Sequence, residues 1–490
     1  MKKRLASIVK APIGLLSRPG GVISKKISQA TGSVSFLESL RNVDIRKKLI
    51  FTIGILVVYR ILNAVPLPGI DVRLFIEVFR DSPLTNIFTL VTGGRLDNPS
   101  LVSIGLGAYI NASIVIQLLQ TVIPKFEELS KEGERGRKTL NQYTRILAVP
   151  LSAIQGFVIY TILSNVGTTV PELAGLVDGI TPFQVVTMIV SLTAGSILLM
   201  WLGELISERG IGNGISILIT VSILSSLPGL IARDFSFMAQ DLQLLAGGNF
   251  NVLLNENFLI VYAVIIGLIL LVLGVVYINE AVRKITIQYA RRFRGDGMQG
   301  SYLPLKINQA GVIPVIFASA LLTFPQIISQ FLLSSADSES FLFKLGAGIN
   351  DSFLGADLST QTTEERLSYF AAYALLIIGF TFFYTFVTYK PSETADNLKK
   401  SGGFIPGLRP GKATQKFITH VLVRLTVVGS IFLAVISLIP SIVILSPQGA
   451  NLTIIGAVGG TSILIIVGVI LDTIRQMKSL TVSISYDQYK

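Results

Sequence analysis

Ile260-Val-Tyr-Ala-Val-Ile-Ile-Gly-Leu-Ile-Leu-Leu-Val-Leu-Gly-Val-Val276 carries no charge and no alternation of polar with apolar side chains. A strand in a membrane barrel alternates over about 10 residues, whereas a helix rising 1.5 Å per residue needs about 20 apolar residues to cross the hydrocarbon core. The run therefore reads as a buried or membrane-spanning helix. Working outward from it, runs of the same kind recur at 49–65, 101–123, 146–163, 182–203, 214–232, 257–279, 307–333, 369–389, 417–445 and 452–471. The expected fold is an all-α polytopic membrane protein with ten transmembrane helices.

The composition agrees. Of 490 residues, 51% are hydrophobic and only 14% are charged, with a mean hydropathy of +0.66. A soluble domain carries about 25% charged residues, and a disordered chain is far less apolar, so both classes are excluded. The chain has no cysteine, which removes disulfides, thiolate nucleophiles, iron–sulfur clusters and cysteine-bound zinc. His420 is the one imidazole, so a zinc-protease motif or a Ser-His-Asp triad would have to be built around it. Gly407, Gly411 and Lys412 imitate a phosphate loop, but the glycines are one residue too close and Ala413 stands where Ser or Thr must hold magnesium. Gly212-Asn-Gly214 lacks dinucleotide-loop spacing and reads as a helix start. No catalytic residue, metal site or cofactor is expected.

Lys and Arg are retained on the cytoplasmic side of membrane proteins. Most of the 41 basic residues fall in segments 1–48, 124–145, 204–213, 280–306, 390–416 and 472–490, which places these inside, with both termini cytoplasmic. The segment 1–48 is basic and broken by Pro12, Gly14, Pro19, Gly20 and Gly21, so it is not a cleavable signal peptide, and its charge suits topogenesis and anionic membrane lipid. Five helices at 49–232 and five at 257–471 flank a polar external loop at 233–256, which suggests two inverted five-helix halves. The tail 472–490 is cytoplasmic.

Intramembrane carboxylates mark ion pathways. Glu204, Glu280 and Asp472 lie only at span ends, and Arg60 and Arg424 read as snorkelling structural charges. The external stretch Ser82-Pro-Leu-Thr-Asn-Ile-Phe-Thr-Leu-Val-Thr-Gly-Gly94 is a half-helix too short to span, which lies on the membrane surface or folds back into the bundle. Loops 280–306 and 390–416 are basic, with Arg291, Arg292 and Arg294 in one and Lys399, Lys400 and Arg409 in the other. They read as a solvated topogenic face or as a joint grip on an acidic or RNA-rich partner.

Four stretches are familiar in this order: Lys131-Glu-Gly-Glu-Arg-Gly-Arg-Lys138, Trp201-Leu-Gly-Glu-Leu-Ile-Ser-Glu-Arg-Gly-Ile-Gly-Asn-Gly-Ile-Ser216, Leu303-Pro-Leu-Lys-Ile-Asn-Gln-Ala-Gly-Val-Ile-Pro314, and Pro391-Ser-Glu-Thr-Ala-Asp-Asn-Leu-Lys-Lys-Ser-Gly-Gly-Phe-Ile-Pro-Gly-Leu-Arg-Pro-Gly411. Over roughly residues 41–485 the chain closely resembles the SecY family, the channel subunits of the bacterial protein translocase. The resemblance implies a protein-conducting channel in the plasma membrane, translocating unfolded secretory polypeptides and releasing membrane helices sideways into lipid. It implies an apolar pore ring of Leu106, Ile110, Ile219, Ile316, Ile328 and Ile465, and a re-entrant plug half-helix at about 84–97 with Ile87, Phe88, Leu90, Gly93 and Gly94. A lateral gate would open between spans two and three on one side and seven and eight on the other, latched by the amides Gln155 and Asn308. Arg283, Lys284, Arg291 and Arg409 would engage a ribosome or a SecA-type motor ATPase, and small subunits of the SecE and SecG type would complete the channel. The other readings are an accessory SecY-like channel with few substrates and a small-solute secondary transporter. The external loop 334–368 exceeds the family pattern.

Overall fold

The computed structural model describes residues 42–69, 99–169, 181–225, 228, 256–289, 301–335, 340–353, 363–444 and 460–487. The chain is mostly helical, and each of the ten apolar runs carries a helix. In the first half these are α1 (Val43–Asn63), α2 (Gly107–Val122), α4 (Glu134–Thr169), α5 (Pro182–Arg209) and α6 (Gly214–Ser225), with a short α3 (Pro124–Lys131) after α2. The second half holds α7 (Glu256–Glu280), α8 (Ile313–Ser335), α9 (Phe341–Phe353), α10 (Thr363–Thr388), α11 (Pro391–Lys400), α12 (Lys412–Ile444) and α13 (Gly460–Asp487). Among the described residues, α4, α5, α10 and α12 are each long and apolar enough to cross a membrane, and α2 with α3, bent by 100°, forms a fifth candidate. Shorter apolar stretches lie in α6, α7 and α8. The protein is a multi-pass membrane protein.

Local chemistry sets the helix ends. The Asn42 side chain accepts a hydrogen bond from the Asp44 amide at 3.0 Å and caps α1. Thr181 and Gln184 form a reciprocal capping box at the start of α5, with Pro182 in the first turn, where its missing N–H is not needed. Helices run past the apolar runs that announced them: α4 starts at Glu134, well before residue 146, and α13, with no Gly or Pro after residue 472, continues to Asp487, so most of the tail 472–490 is helical.

The loops are more structured than their polarity suggested. Within 280–306, β1 (Val282–Tyr289) and β2 (Ser301–Lys306) pair antiparallel, with Arg283 opposite Leu305 and Lys284 opposite Pro304. From loop 390–416, β3 (Gly403–Phe404) adds to the other edge of β1, giving the order β2-β1-β3. Ile285, Ile287 and Leu305 of the hairpin pack with Leu398, Ile405, Ile418 and Val421, so hairpin, α11 and the start of α12 share one apolar core. Loop 334–368 contains α9, which packs against α8 and α10, with the Ser329 hydroxyl donating to the Gly346 carbonyl at 2.9 Å.

Two membrane-region cores follow the two halves. One gathers Ile55, Tyr59, Leu106, Leu199, Leu202, Ile206 and Leu218 from α1, the α2 entry, α5 and α6. The other gathers Val275, Val315, Tyr373, Ile377, Leu433 and Leu464 from α7, α8, α10, α12 and α13. The halves touch along two seams: α8 against α2 and α4, and α13 against α1.

Candidate functional site

Between the halves, at the end of the bundle that carries the sheet, lies a cavity of about 290 Å³. Its apolar wall includes Ile219 of α6, Ile316 of α8 and Ile465 of α13, three sequence-predicted ring residues from three helices and both halves. Ile110 and Ile219 also pack against the first-half core, and Leu106, at the entry to α2, is buried within it. Ile328 stands apart. It lies twelve residues beyond Ile316 on α8 with Pro325 between them, a rise of about 18 Å. It is 49% exposed and is absent from the cavity wall. Ile219, Ile316 and Ile465 thus share the cavity wall, while Ile328 lies farther along α8.

The polar wall was not anticipated. Asn279, at the end of α7, and Asn308, before α8, are both buried and joined: the Asn308 amide nitrogen donates to Asn279 Oδ1 at 3.0 Å and to the Gly311 carbonyl at 3.1 Å. The expected latch pairs Asn308 with Gln155, but Asn308 spends its donors on Asn279 and Gly311, and Gln155 Oε1, buried on α4, has no partner. The two N–H groups of the Asn308 amide are both used, one by Asn279 and one by the Gly311 carbonyl in its own turn, which leaves no donor for Gln155. Ser216, Lys306, Gln309 and Arg475 also line the cavity. Asn308 is expected at the gate from the family resemblance; Asn279, Ser216, Lys306, Gln309 and Arg475 carry no spacing that sets them apart from other polar residues at helix ends.

The carboxylates at the span ends do more than reach for water. Arg475 donates to Glu280 and to the Asn279 carbonyl, each at 2.8 Å, and to Asp472 at 3.1 Å, tying α13 to the end of α7. Arg145 of α4 grips Glu204 of α5 through two nitrogens, at 2.7 and 2.6 Å. Lys306 sits beside the Arg475 cluster, and its ammonium is pushed below the ordinary lysine range, first by partial burial and then by Arg475, against the pull of Asp472 and Glu280. Arg60 donates to Ser225, joining α1 to α6.

The basic loop residues share one platform. Arg283 and Lys284 are exposed on β1, and the Lys284 ammonium lies 4.9 Å from the Tyr302 ring centre. Arg409 is exposed in the turn after β3, where Gly407 takes φ +81° and Thr414 donates to the Arg409 carbonyl at 3.0 Å. A positive φ of this size suits glycine and strains other residues. Arg291 lies outside the described residues, as do the plug residues Ile87, Phe88, Leu90, Gly93 and Gly94.

The SecY family model matches residues 100–474. The protein translocase subunit SecY of Mycobacterium bovis is 38% identical over 464 residues, covering 93% of this chain and 99% of that one. Among solved structures, a protein-conducting channel has the same fold, with a TM-score of 0.61 at 21% identity over 90% of this chain and 94% of that one. Sec61 in the canine ribosome–channel complex from the endoplasmic reticulum gives a TM-score of 0.58 at 21% identity, with the same coverage.

Proposed function

The chain belongs to the SecY family and is a protein-conducting channel subunit of the translocase type, and we propose that polypeptides cross it through the cavity between its halves. The observation that carries this path is the convergence of Ile219, Ile316 and Ile465 from α6, α8 and α13 on one cavity. Aliphatic side chains bind no charged group, dewet a narrow passage and part around an extended chain, so a constriction built of them passes polypeptide while limiting ions. Ile110 and Leu106 extend this constriction on the first half, and Ile328 belongs to a level nearer the far side of α8. A plug at about 84–97, built from Ile87, Phe88 and Leu90 and hinged at Gly93 and Gly94, would close the far side.

The lateral exit is assigned to the seam where α8 meets α2 and α4, with α10 behind α8. Gln155 and Asn308 act there as separate buried amides. The sheet platform, with Arg283, Lys284, Arg291 and Arg409, is the docking face for a ribosome or a SecA-type motor ATPase, which supplies the energy; the chain itself is not an enzyme. The ribosome-bound state of Sec61, a relative in fold, supports this assignment. Small subunits of the SecE and SecG type complete the channel. The excess of basic residues on the sheet end supports a cytoplasmic position for that end and for both termini, with ten helices in the plasma membrane as two inverted halves.

The test uses the cysteine-free background. Ile316→Cys in a membrane exporting a stalled secretory polypeptide with its own single cysteine is expected to crosslink in a signal-dependent way, while a cysteine at outward-facing Leu270 does not. Equal crosslinking at both positions, or none at Ile316, rejects the path. Arg409→Glu is expected to leave the folded protein in the membrane and block translocation; normal export by a stable variant removes Arg409 from the docking face.

A further inference from the structure

The Asn279–Asn308 pair leaves two buried polar atoms without partners, Asn279 Nδ2 and Asn308 Oδ1, and a third, Gln309 Oε1, follows in the next residue. Asn279 is 8% exposed and Asn308 4%, and all three residues line the cavity. The orientation of both asparagine amides is fixed by the network. Only a nitrogen can donate to the Gly311 carbonyl, so Asn308 must turn its Nδ2 inward, and Asn279 must then present its oxygen to it. What remains is one NH2 group, with two N–H donors, and one C=O acceptor on a hydrogen-bonded pair, with a second acceptor beside them. An unpaired strand edge offers the same set.

The chemical complement of such an edge is a peptide group, which brings one acceptor and one donor. Leaving buried polar atoms unmatched is unfavourable, and hydrogen bonding to a partner backbone is how sheet edges capture extended peptides. Of the charges on the wall, Arg475 is already engaged by Glu280, Asp472 and the Asn279 carbonyl, and Lys306 sits beside that cluster, so the unmatched groups next to the pair are neutral amides. The volume lies at the low end for ligand pockets, about 300–1,000 Å³. A helix about 10–12 Å across does not fit so small a space, but a short extended segment does.

We propose that Asn279, Asn308 and Gln309 form a backbone-reading station in the cavity, which holds one or two peptide units of the passing polypeptide in extended form by hydrogen bonds to its N–H and C=O groups. The proposal rests on the channel reading above. A channel that accepts many sequences has only the backbone as a common handle, and this site recognises backbone without reading side chains. It orients the chain just before the apolar constriction, where Ile219, Ile316 and Ile465 offer no hydrogen bonds.

The experiment places a single cysteine at Ser216, on the cavity wall, in the full chain within its membrane. It is crosslinked to stalled secretory polypeptides whose one cysteine is moved through successive positions. Successive side chains of an extended strand point to opposite sides, so the yield is expected to alternate strongly from one position to the next. Asn279→Ala is expected to flatten the alternation while total yield persists. A second arm leaves the protein untouched: replacing one peptide bond of the substrate by an ester removes its N–H, and at the station this flattens the pattern as well. A flat profile with the parent chain means a chain held only by water and overturns the station. Alternation that survives both Asn279→Ala and the ester overturns it too. Absence of crosslinks at every substrate position, in membranes that export the substrate, rejects the channel path itself.

Discussion

The two seams between the halves are built on opposite principles. Where α13 meets α1, the side chains of Ile45, Ile211 and Met477 are buried together, with Leu49 and Leu480 against them. The Thr52 hydroxyl accepts from the Ile211 amide at 3.2 Å and donates to the Lys48 carbonyl at 2.9 Å, so the polar groups there are matched. In the other seam α8 meets α2 and α4, and α4 carries the buried Gln155 with its Oε1 unpartnered. An unmatched buried amide costs about 1–3 kcal/mol and leaves its surroundings less stable than an apolar side chain of the same shape would. On the channel reading proposed above, the matched seam is assigned the role of hinge and the other that of the gate which parts when an inserting segment supplies contacts.

The largest effect is expected at the hinge. Ile211→Asp buries a carboxylate among apolar side chains, and a loss of more than about 4 kcal/mol follows from an uncompensated buried charge; the readout is loss of folded protein from the membrane. Wild-type stability of this variant would show that the seam is not a hinge. Next is the turn that delivers Ile211. A Cβ at Gly214 would collide with the Gly203 carbonyl of α5. Gly214→Ala is expected to cost about 3 kcal/mol, the upper range for overpacking, seen as a lower melting temperature in nanodiscs.

At the gate the sign reverses. Gln155→Leu removes the unmatched oxygen and is expected to stabilise the closed state by about 1 kcal/mol, or about fivefold less spontaneous opening. Single-channel conductance measures this directly, and increased opening would assign Gln155 to the closed-state latch after all. The smallest effect is at Lys306. Its folded-state pKa lies below its ordinary value of 10.5, so the unfolded chain binds the proton more tightly. Stability is reduced at neutral pH and rises as pH climbs from the lowered value toward 10.5. Lys306→Met is expected to stabilise by less than about 1 kcal/mol, since solvent screens a half-buried charge, and to abolish the alkaline rise in a pH series of thermal unfolding.

Much of this was legible before any fold was available. The apolar runs located a helix at each of ten places because water exclusion acts on local composition. The hairpin had a visible sign as well. Ile285 and Ile287 alternate with charged and polar neighbours in Val282–Tyr289, a period-two pattern in a loop read only for its charge. The ion pairs had none, since Arg145 and Glu204 are 59 residues apart and Arg475 and Glu280 are 195 apart. The Asn279–Asn308 pair spans 29 residues and two elements, and the competing Gly311 carbonyl becomes available only once the turn before α8 has formed.

Local chemistry alone determined where the chain is helical, that it resides in a membrane, and that cysteine chemistry is absent, because each depends on residue type or on neighbours within a few turns. The tertiary structure decided which isoleucines share a level, that the basic loops form one sheet, that Asn308 answers Asn279 and not Gln155, and which seam is matched and which is not. Those outcomes depend on which groups are brought within about 3 Å across long stretches of chain, and hydrogen bonds and side-chain contacts lose their strength beyond that distance.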